Sequence, residues 1–254
     1  KELRYASLLH DFGKVGVREQ VLVKAKKLAP ERLERILQRL YQRDIERTVE
    51  WMERAWAEGE PYDPERCQRF LAERRAASQH LADLVIRCNE PQVLPKEVAE
   101  RMDELETLVF QHYVGTSAPV LEPEDVAALR IPKGSLSAEE REEINSHVTH
   151  TFRFLKQIPW TTELQSIPEI AYAHHERLNG RGYPRGLTSD QIPIQSKLMA
   201  VADVYDALVA ADRPYKVAVS VPRSLEILED ETKAGLLDPE AFRIFLEARV
   251  YERT

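Results

Sequence analysis

The sequence predicts an all-α protein, on the strength of two observations. Only 9 of the 254 residues are glycine, while Glu, Arg, Leu and Ala, which favour helices, are abundant. Apolar residues also recur at the three- and four-residue spacing of an amphipathic helix along most of the chain. In its first half, no strand-like alternation competes with that spacing.

The composition excludes several classes of protein. Hydrophobic residues make up 43% of the chain, which is enough to form a core, so a wholly disordered chain is excluded. The two cysteines, Cys67 and Cys88, are too few for a disulfide scaffold or a cysteine zinc ribbon. The formal net charge of −7 argues against a general DNA-binding protein, so an anionic ligand would need a local basic pocket.

No segment has the features of a membrane span or an export signal. No apolar run approaches the roughly 18 residues needed to cross a bilayer. The opening residues, KELRYASLLH, lack the hydrophobic segment and small-residue cleavage site of a secretory signal. We therefore expect no membrane span in this chain and a cytoplasmic location.

The first predicted helix covers residues 2–12 and ends at Gly13 and Gly16. Its apolar residues are Leu3, Ala6, Leu9 and Phe12. No capping residue precedes the pattern, so we expect a fragment whose earlier helix or helices are missing.

Three charged amphipathic helices are predicted next, over residues 31–57, 64–89 and 96–112. The first of them would be about 40 Å long at 1.5 Å per residue. The breaks GEPYDP and EPQVLP separate the three, which together indicate an antiparallel hairpin bundle or coiled coil. Residues 113–135 are rich in Pro and Gly and are predicted to form a loop.

The remainder of the chain is again helical in pattern. The predicted helices are 137–157, 165–175, 193–211, 220–234 and 239–251. The segment KAKKLAPERLE resembles PKGSLSAEEREE further along the chain. Because no third copy exists, we interpret these two segments as the ends of an insertion and not as a repeat.

Histidines and aspartates fall into small groups that suggest a metal centre. The groups are His10 and Asp11 in HDFGK, His147 and His150 in EINSHVTH, His174 and His175 in HHERLNGRGYP, and Asp203 and Asp206 in AVADVYDAL. Imidazole and carboxylate donors without a thiolate suit Zn, Mn or Fe. An adjacent pair projects about 100° apart on a helix and so would span two metals, with a carboxylate bridging them. Two-metal sites hold a hydroxide and the departing oxygen of a phosphate ester.

Each group is weak alone, since a single helical histidine is more often capped or solvated than bound to a metal. Their order along the chain is specific: HDFGK, a later helical His, HHERLNGRGYP and ADVYDALVAADRPYK resemble the HD-GYP family, a branch of the HD metal-dependent phosphohydrolases. The resemblance covers residues 1–28 and about 132–251. It implies an HD-superfamily helical bundle with two or three divalent metals, Fe or Mn before others. It also implies hydrolysis of cyclic di-GMP to pGpG or onward to GMP in bacterial second-messenger signalling.

The resemblance also implies roles for individual residues. The implied metal ligands are His10, Asp11, His147, His174, His175 and Asp203, with Asp11 as the bridging, catalytic carboxylate. Lys14 matches a catalytic lysine that contacts the scissile phosphate. The remaining implied substrate-binding residues are Gly182, Tyr183 and Pro184 of the signature loop, Asp206, Arg213 and Lys216. Two alternatives stay open: Tyr183 stacks on a base or simply packs, and Asp206 touches substrate or orients a ligand histidine.

The chain departs from the family pattern in two ways. The family has a further ligand, a His and sometimes a Glu, on a helix before the HD pair, and this chain starts after it. Asp11 and His147 are 136 positions apart, far more than the pattern needs. We therefore predict a catalytic domain of residues 1–29 and 132–254, interrupted by an inserted helical arm of residues 30–131. The arm is expected to mediate a homodimer, although a signal receiver, a pocket cover or a structural elaboration are alternatives.

Three functions follow as hypotheses. The first is a cyclic di-GMP phosphodiesterase in which hydroxide attacks phosphorus in line with the departing 3′ oxygen. The second is a signalling module that holds the nucleotide, or a partner such as a cyclase domain, without cleavage. A sensor domain upstream of this chain is a separate expectation. The third is a phosphodiesterase for another cyclic dinucleotide, such as cyclic GMP-AMP.

Overall fold

The computed structural model describes residues 1–111, 115–210 and 218–252. The all-α prediction is confirmed, with one two-stranded antiparallel sheet as an addition. In chain order the α-helices are α1 (Glu2–Leu9), α2 (Glu19–Leu22), α3 (Pro30–Ala57), α4 (Pro64–Cys88), α5 (Lys96–Glu106), α6 (Pro123–Leu129), α7 (Ala138–Asn145), α8 (His147–Leu155), α9 (Ile167–Tyr172), α10 (Ile194–Val209), α11 (Val221–Lys233) and α12 (Pro239–Glu247). In the part of the chain that the structure describes, no helix combines the length and apolar character that a bilayer span needs.

The chain folds into two compact units. The split unit consists of Lys1–Val23 and Ala138–Thr254, and the contiguous unit consists of Lys24–Ser137. The contiguous unit thus interrupts the split unit in sequence. Whether it is an insertion relative to the family stays a prediction.

The split unit has two apolar clusters that meet at α10. Met199 packs with Leu155 and Ile170 in one cluster, whereas Tyr205 packs with Phe245 in the other. Burial on two sides explains why α10 is apolar around much of its circumference. Because both clusters hold α10, the polar residues on its remaining face have a fixed position.

The contiguous unit is built on the α3–α4 hairpin. Asp63 begins α4 by accepting hydrogen bonds from the amides of Glu65 and Arg66, and Pro64 occupies the first helical position. The core lies at one end of the hairpin, where Leu40 and Leu84 are buried with residues of α5 and α6.

For two segments of the contiguous unit, the predicted type of secondary structure was wrong. The helix predicted over 96–112 ends at Glu106, and Val109–Gln111 forms strand β1. Strand β1 pairs antiparallel with β2 (Ser117–Pro119), with Phe110 opposite Ala118. Phe110 is buried against the core, and this burial favours a strand at this position over continuation of the helix.

The predicted loop of residues 113–135 contains β2 and also α6. Pro123 is the first residue of α6, and Glu122 and Asp125 form a reciprocal capping box before it. The proline that indicated a loop therefore marks a helix start.

Several predicted helices in the split unit are shorter than expected. α1 ends at Leu9, and Phe12–Gly16 is a 3-10 turn, because the Gly13 amide donates to the hydroxyl of Thr151 instead of to a helical carbonyl. The predicted helix 137–157 is two helices that meet at Ser146. The predicted helix 165–175 ends at Tyr172, so His174 and His175 lie in the turn that follows it. α12 ends at Glu247 and is followed by a 3-10 turn, Val250–Glu252.

Candidate metal centre

The structure brings together six side chains that come from four separate segments of the split unit. His10 and Asp11 follow α1, His147 begins α8, His174 and His175 follow α9, and Asp203 lies on α10. The six residues are those that the sequence indicated as ligands. Their convergence is a geometric fact, whereas their role as metal ligands stays a prediction.

The two aspartates lie between the histidines. Asp11 Oδ1 is 3.3 Å from His147 Nε2, and Asp11 Oδ2 is 3.3 Å from His10 Nε2. Asp203 Oδ1 is 3.6 Å from His10 Nε2, and Asp203 Oδ2 is 3.8 Å from His175 Nδ1. Asp11 is thus placed as a bridge between His10 and His147.

The ligand atoms form two overlapping groups. One group is His147, His174 and His175, and the other is His10, Asp11 and His174, with the ligand atoms within 4.8 Å of one another in each. The ring centroids of His174 and His175 are 4.0 Å apart. The shared His174 could bind only one cation, because Nε2 has a single lone pair, so a carboxylate with two oxygens, such as Asp11, is the donor that could serve two neighbouring cations.

Three of the histidines are fixed in the same tautomer. The Nδ1 atoms of His10, His147 and His174 lie 2.8, 2.6 and 2.6 Å from the carbonyl oxygens of Ser7, Ile144 and Ala171, each three residues earlier. Because a carbonyl only accepts, each Nδ1 must donate, and in the neutral imidazole Nε2 keeps its lone pair. This is the arrangement in which a protein backbone orients a metal-binding imidazole.

Buried polar atoms without partners converge on the same point. Among the described residues, Nε2 of His10, His147 and His174 and Oδ1 of Asp11 are buried with no hydrogen-bond partner. Leaving each such atom unsatisfied costs about 1–3 kcal/mol. A divalent cation would satisfy all four, and nitrogen and oxygen donors suit Mn, Fe or Zn. These residues therefore fit a metal centre.

Burial and neighbouring charges keep three of the donors, His174, His175 and Asp11, in their metal-binding forms. Burial lowers the pKa of His174 to about 4, and burial together with His174 lowers that of His175 to about 3. Burial alone would raise the pKa of Asp11, but the adjacent His10 and His147 imidazoles and the hydrogen bond from Lys14 hold it well below its usual range. Both imidazoles are therefore neutral and the carboxylate is ionised at neutral pH.

His10 has the opposite shift. Burial would lower its pKa, but hydrogen bonds to Asp11 and Asp203 outweigh burial and raise the pKa to about 10. Without a cation, a proton on His10 thus offsets part of the negative charge of the two carboxylates.

Lys14 lies at the edge of this cluster. Its Nζ donates to Asp11 Oδ2 at 2.6 Å, and its side chain is part-exposed. It is therefore close enough to act on a group held at Asp11, as the sequence predicted, although that role stays a prediction.

A pocket of about 390 Å³ opens beside the cluster. Its lining includes His175, Asp203, Gly182 and Tyr183, and the Tyr183 ring is 4.8 Å from that of His175. Pro184 follows Tyr183 and is half-buried. Gly182 and Tyr183 of the signature loop thus line the pocket, whereas Pro184 is not among the described residues that line it.

The structure places one of the remaining predicted substrate residues, Asp206, and the other two lie outside the described residues. Asp206 lies one turn beyond Asp203 on α10, is exposed, and is not among the described residues that line the pocket. Arg213 and Lys216 lie outside the described residues. His150 hydrogen-bonds Ser146 at 3.1 Å through Nε2.

Sequence reasoning missed four residues that shape the site. Arg177 and Arg181 line the pocket. Thr151 and Glu176 are buried and hydrogen-bond the segments that carry the predicted ligands. Thr151 is four residues after His147, so helical spacing could have indicated it. No sequence pattern indicated Glu176, because its hydrogen-bond partners are backbone amides of a loop.

The chain matches known proteins over part of its length. The model of the HD domain matches residues 110–241, which is half of the chain. The chain therefore belongs to the HD domain family, which confirms the family predicted from its motifs.

Curated relatives carry more specific names. A 3'3'-cGAMP-specific phosphodiesterase 3 of Vibrio cholerae is 33% identical over 45% of this chain and 24% of its own length. A cyclic di-GMP phosphodiesterase of Thermotoga maritima is 38% identical over 61% of this chain and 41% of its own. A 3'3'-cGAMP-specific phosphodiesterase 1 of Vibrio cholerae is 32% identical over 66% of this chain and 36% of its own length. The chain thus spans less than half the length of these relatives.

Proposed function

We propose that this protein is a metal-dependent phosphodiesterase that hydrolyses cyclic di-GMP to pGpG or GMP in second-messenger signalling. The observation that carries the proposal is the convergence of four buried, unpartnered nitrogen and oxygen atoms beside an open pocket. Relatives named as cyclic di-GMP phosphodiesterases support the substrate class. A cytoplasmic location, an upstream sensor domain and a cyclase partner stay predictions.

The proposed ligands are the six residues predicted from the motifs, with Asp11 as the bridge. Two or three divalent metals, Fe or Mn before others, would polarise a phosphoryl oxygen and activate water when bound. The three imidazoles tethered through Nδ1 present Nε2 in a fixed direction, so little reorganisation is needed on binding.

The pocket residues suit an anionic nucleotide. Lys14 is placed to neutralise charge that develops on the phosphoryl oxygens. Arg177 is held by Glu231 at 3.3 Å and, with Arg181, supplies positive charge at the pocket. Tyr183 offers a ring face to a base. The pocket therefore combines a basic and an aromatic side next to the metal ligands.

The test is turnover of cyclic di-GMP by the Mn- or Fe-loaded protein, with products separated by chromatography. We expect hydrolysis that His10→Ala, Asp11→Ala or His175→Ala abolishes. His150→Ala is the matched control, because this histidine bonds Ser146, and it should retain activity. A metal-loaded protein that binds cyclic di-GMP but leaves it uncut would instead indicate a binding module.

A second substrate is favoured by specific relatives. Two of the relatives above are named 3'3'-cGAMP-specific phosphodiesterases. We therefore propose cyclic GMP-AMP as the alternative substrate of the same site. A panel of cyclic dinucleotides at equal concentration decides between the two, by the ratio of their kcat/KM values.

We also propose that residues 30–131 are an arm inserted into the catalytic domain of residues 1–29 and 132–254, and that the arm joins two copies. Division of the chain into compact units at Val23 and Ala138 supports the insertion. The dimer rests on a stripe of large side chains along α3, each 45–85% exposed. They are Tyr41, Ile45, Val49, Met52 and Trp56.

The spacing of this stripe suits helix pairing. Ile45, Val49, Met52 and Trp56 are four, three and four residues apart, as in a coiled-coil seam. Exposed apolar patches of a few hundred Å² or more commonly mark an interface. Sedimentation equilibrium should give a dimer that Met52→Lys dissociates, while Glu50→Lys on the same turn does not. A monomeric wild-type protein would refute the proposal that the arm joins two copies.

A further inference from the structure

Glu176 is a buried carboxylate whose two oxygens are both used by one loop. The residue directly follows His175 and is 3% exposed. Its Oε1 accepts from the Arg185 amide and its Oε2 accepts from the Leu187 amide, both at 2.8 Å. Bonds from amides to a carboxylate are stronger than those between neutral groups. The carboxylate therefore ties the far side of the signature loop, residues 180–187, to the turn that carries His174 and His175.

The near side of the signature loop packs on the same turn. A Cβ at Gly182 would lie 2.2 Å from the Arg177 nitrogen and 2.5 Å from the Glu176 Cα, so only glycine fits there. The amide of Tyr183 donates to the His175 carbonyl at 3.3 Å. The loop thus lies directly on the backbone of residues 175–177.

This arrangement fixes the position of one pocket residue. Tyr183 lies between Gly182 and the amides that Glu176 holds, and its ring is 4.8 Å from the His175 ring. Neither Glu176 oxygen is directed at the cluster, because both accept from the loop. Glu176 is therefore linked to the pocket through Tyr183.

We propose that Glu176 is a positioning residue that holds Tyr183 over His175 and so sets the affinity for the nucleotide. The inference rests on the proposed function for its substrate. Without the carboxylate, the loop loses both anchors and Tyr183 samples other positions. Substrate affinity then falls, while the metal ligands and the rate of the chemical step are preserved.

The test compares Glu176→Ala with Glu176→Gln and with a matched control. Glutamine keeps one acceptor oxygen and should restore part of the effect. The control is Glu169→Ala, because Glu169 also binds Arg185, but through the exposed guanidinium at 3.0 Å. Kinetics with cyclic di-GMP, metal content per chain and hydrogen exchange of residues 180–187 are measured on each protein.

We expect Glu176→Ala to raise KM about tenfold or more with kcat changed less than about threefold. Metal content should equal that of the wild type, and the Arg185 and Leu187 amides should exchange faster. Glu169→Ala should match the wild type in all three. If the loop amides of Glu176→Ala stay protected, or if its metal content and melting temperature fall with kcat while KM is unchanged, the proposal is overturned.

The hydrogen-exchange measurement also tests the role of Glu176 independently of the proposed function. A wild-type protein that cleaves no cyclic dinucleotide would refute the function. Faster exchange of the two loop amides in Glu176→Ala, with metal content unchanged, would still support Glu176 as the anchor of Tyr183. Unchanged exchange would refute that anchor whatever the activity.

Discussion

The hydroxyl of Thr151 on α8 donates to the carbonyl oxygen of His10 at 2.8 Å, although the two residues are 141 positions apart. The hydroxyl oxygen of Thr151 also accepts a hydrogen bond from the Gly13 amide at 2.8 Å. One buried side chain thus fixes the HD segment against the helix that begins with His147. The spacing between two predicted ligand segments is therefore set by a residue outside the cluster.

Replacement of Thr151 by valine keeps the shape of the side chain and removes both hydrogen bonds. We expect a loss of about 1–3 kcal/mol in the free energy of unfolding, because a buried carbonyl and amide are left unpaired. Urea unfolding measures the loss, and a manganese titration should give weaker binding. Thr151→Ser, which keeps the hydroxyl, should lose much less; equal losses for both variants would contradict this role.

Gly13 should tolerate no side chain. A Cβ there would lie 2.0 Å from the His147 carbonyl oxygen and 2.6 Å from the Thr151 nitrogen, both backbone atoms of α8. We expect Gly13→Ala to cost about 3 kcal/mol or more and to lower metal content. Gly16→Ala is the control, since its Cβ would meet only the His150 ring, at 3.3 Å. The comparison is made by thermal unfolding, and a Gly13 variant as stable as the wild type would refute the close packing.

Arg177 should contribute to nucleotide binding. Its guanidinium is tethered by Glu231 and lines the pocket. We expect Arg177→Ala to raise KM for cyclic di-GMP about tenfold, because a positive charge near the anion is lost. Arg243→Ala removes an exposed arginine that pairs with Glu240 and should leave KM unchanged. Equal KM values for the two variants would remove Arg177 from the substrate site.

Asp238 should make the stability of the split unit depend on pH. Burial would raise its pKa, but the amides of Ala241 and Glu240 and the Lys197 ammonium at 3.1 Å outweigh burial and lower it. A carboxylate with a lowered pKa adds stability above its unfolded pKa, near 3.9, and that contribution is lost as pH falls through the folded value.

Asp238→Asn tests this dependence, because asparagine keeps the helix cap but not the charge. We expect the variant to be about 1 kcal/mol less stable than the wild type at pH 7. The difference should shrink below about pH 4. Urea unfolding at several pH values measures it, with the exposed cap variant Asp63→Asn as control. A difference that is the same at pH 7 and pH 3 would contradict the charge effect.

The sequence was sufficient to predict the long helices and the residues of the candidate metal cluster. The apolar periodicity of α3 and α4 is set by local spacing, so their bounds were predicted within one residue. His10, Asp11 and Asp203 stand in motifs whose residue types suit one chemistry, so their convergence could be expected before the structure. Asp206 was expected at the substrate from its motif, but it lies on the exposed side of the last turns of α10.

What could not be predicted depends on contacts between distant segments. Helix α1 ends early because Gly13 bonds Thr151, and no local pattern encodes a partner 138 positions away. Strand β1 forms because Phe110 is buried and a partner strand is present. The function of Glu176 likewise becomes visible only when the signature loop folds back onto it.

The most direct test of the metal centre is elemental analysis of the purified protein after anaerobic reconstitution with Mn or Fe. We predict about two metal ions per chain in the wild type, since the six nitrogen and oxygen donors form two candidate groups and the Asp11 carboxylate has two oxygens that could serve both ions. His174→Ala should hold clearly less metal. No metal in the wild-type protein, or equal metal content in both proteins, would contradict the assignment of these six residues as a metal centre.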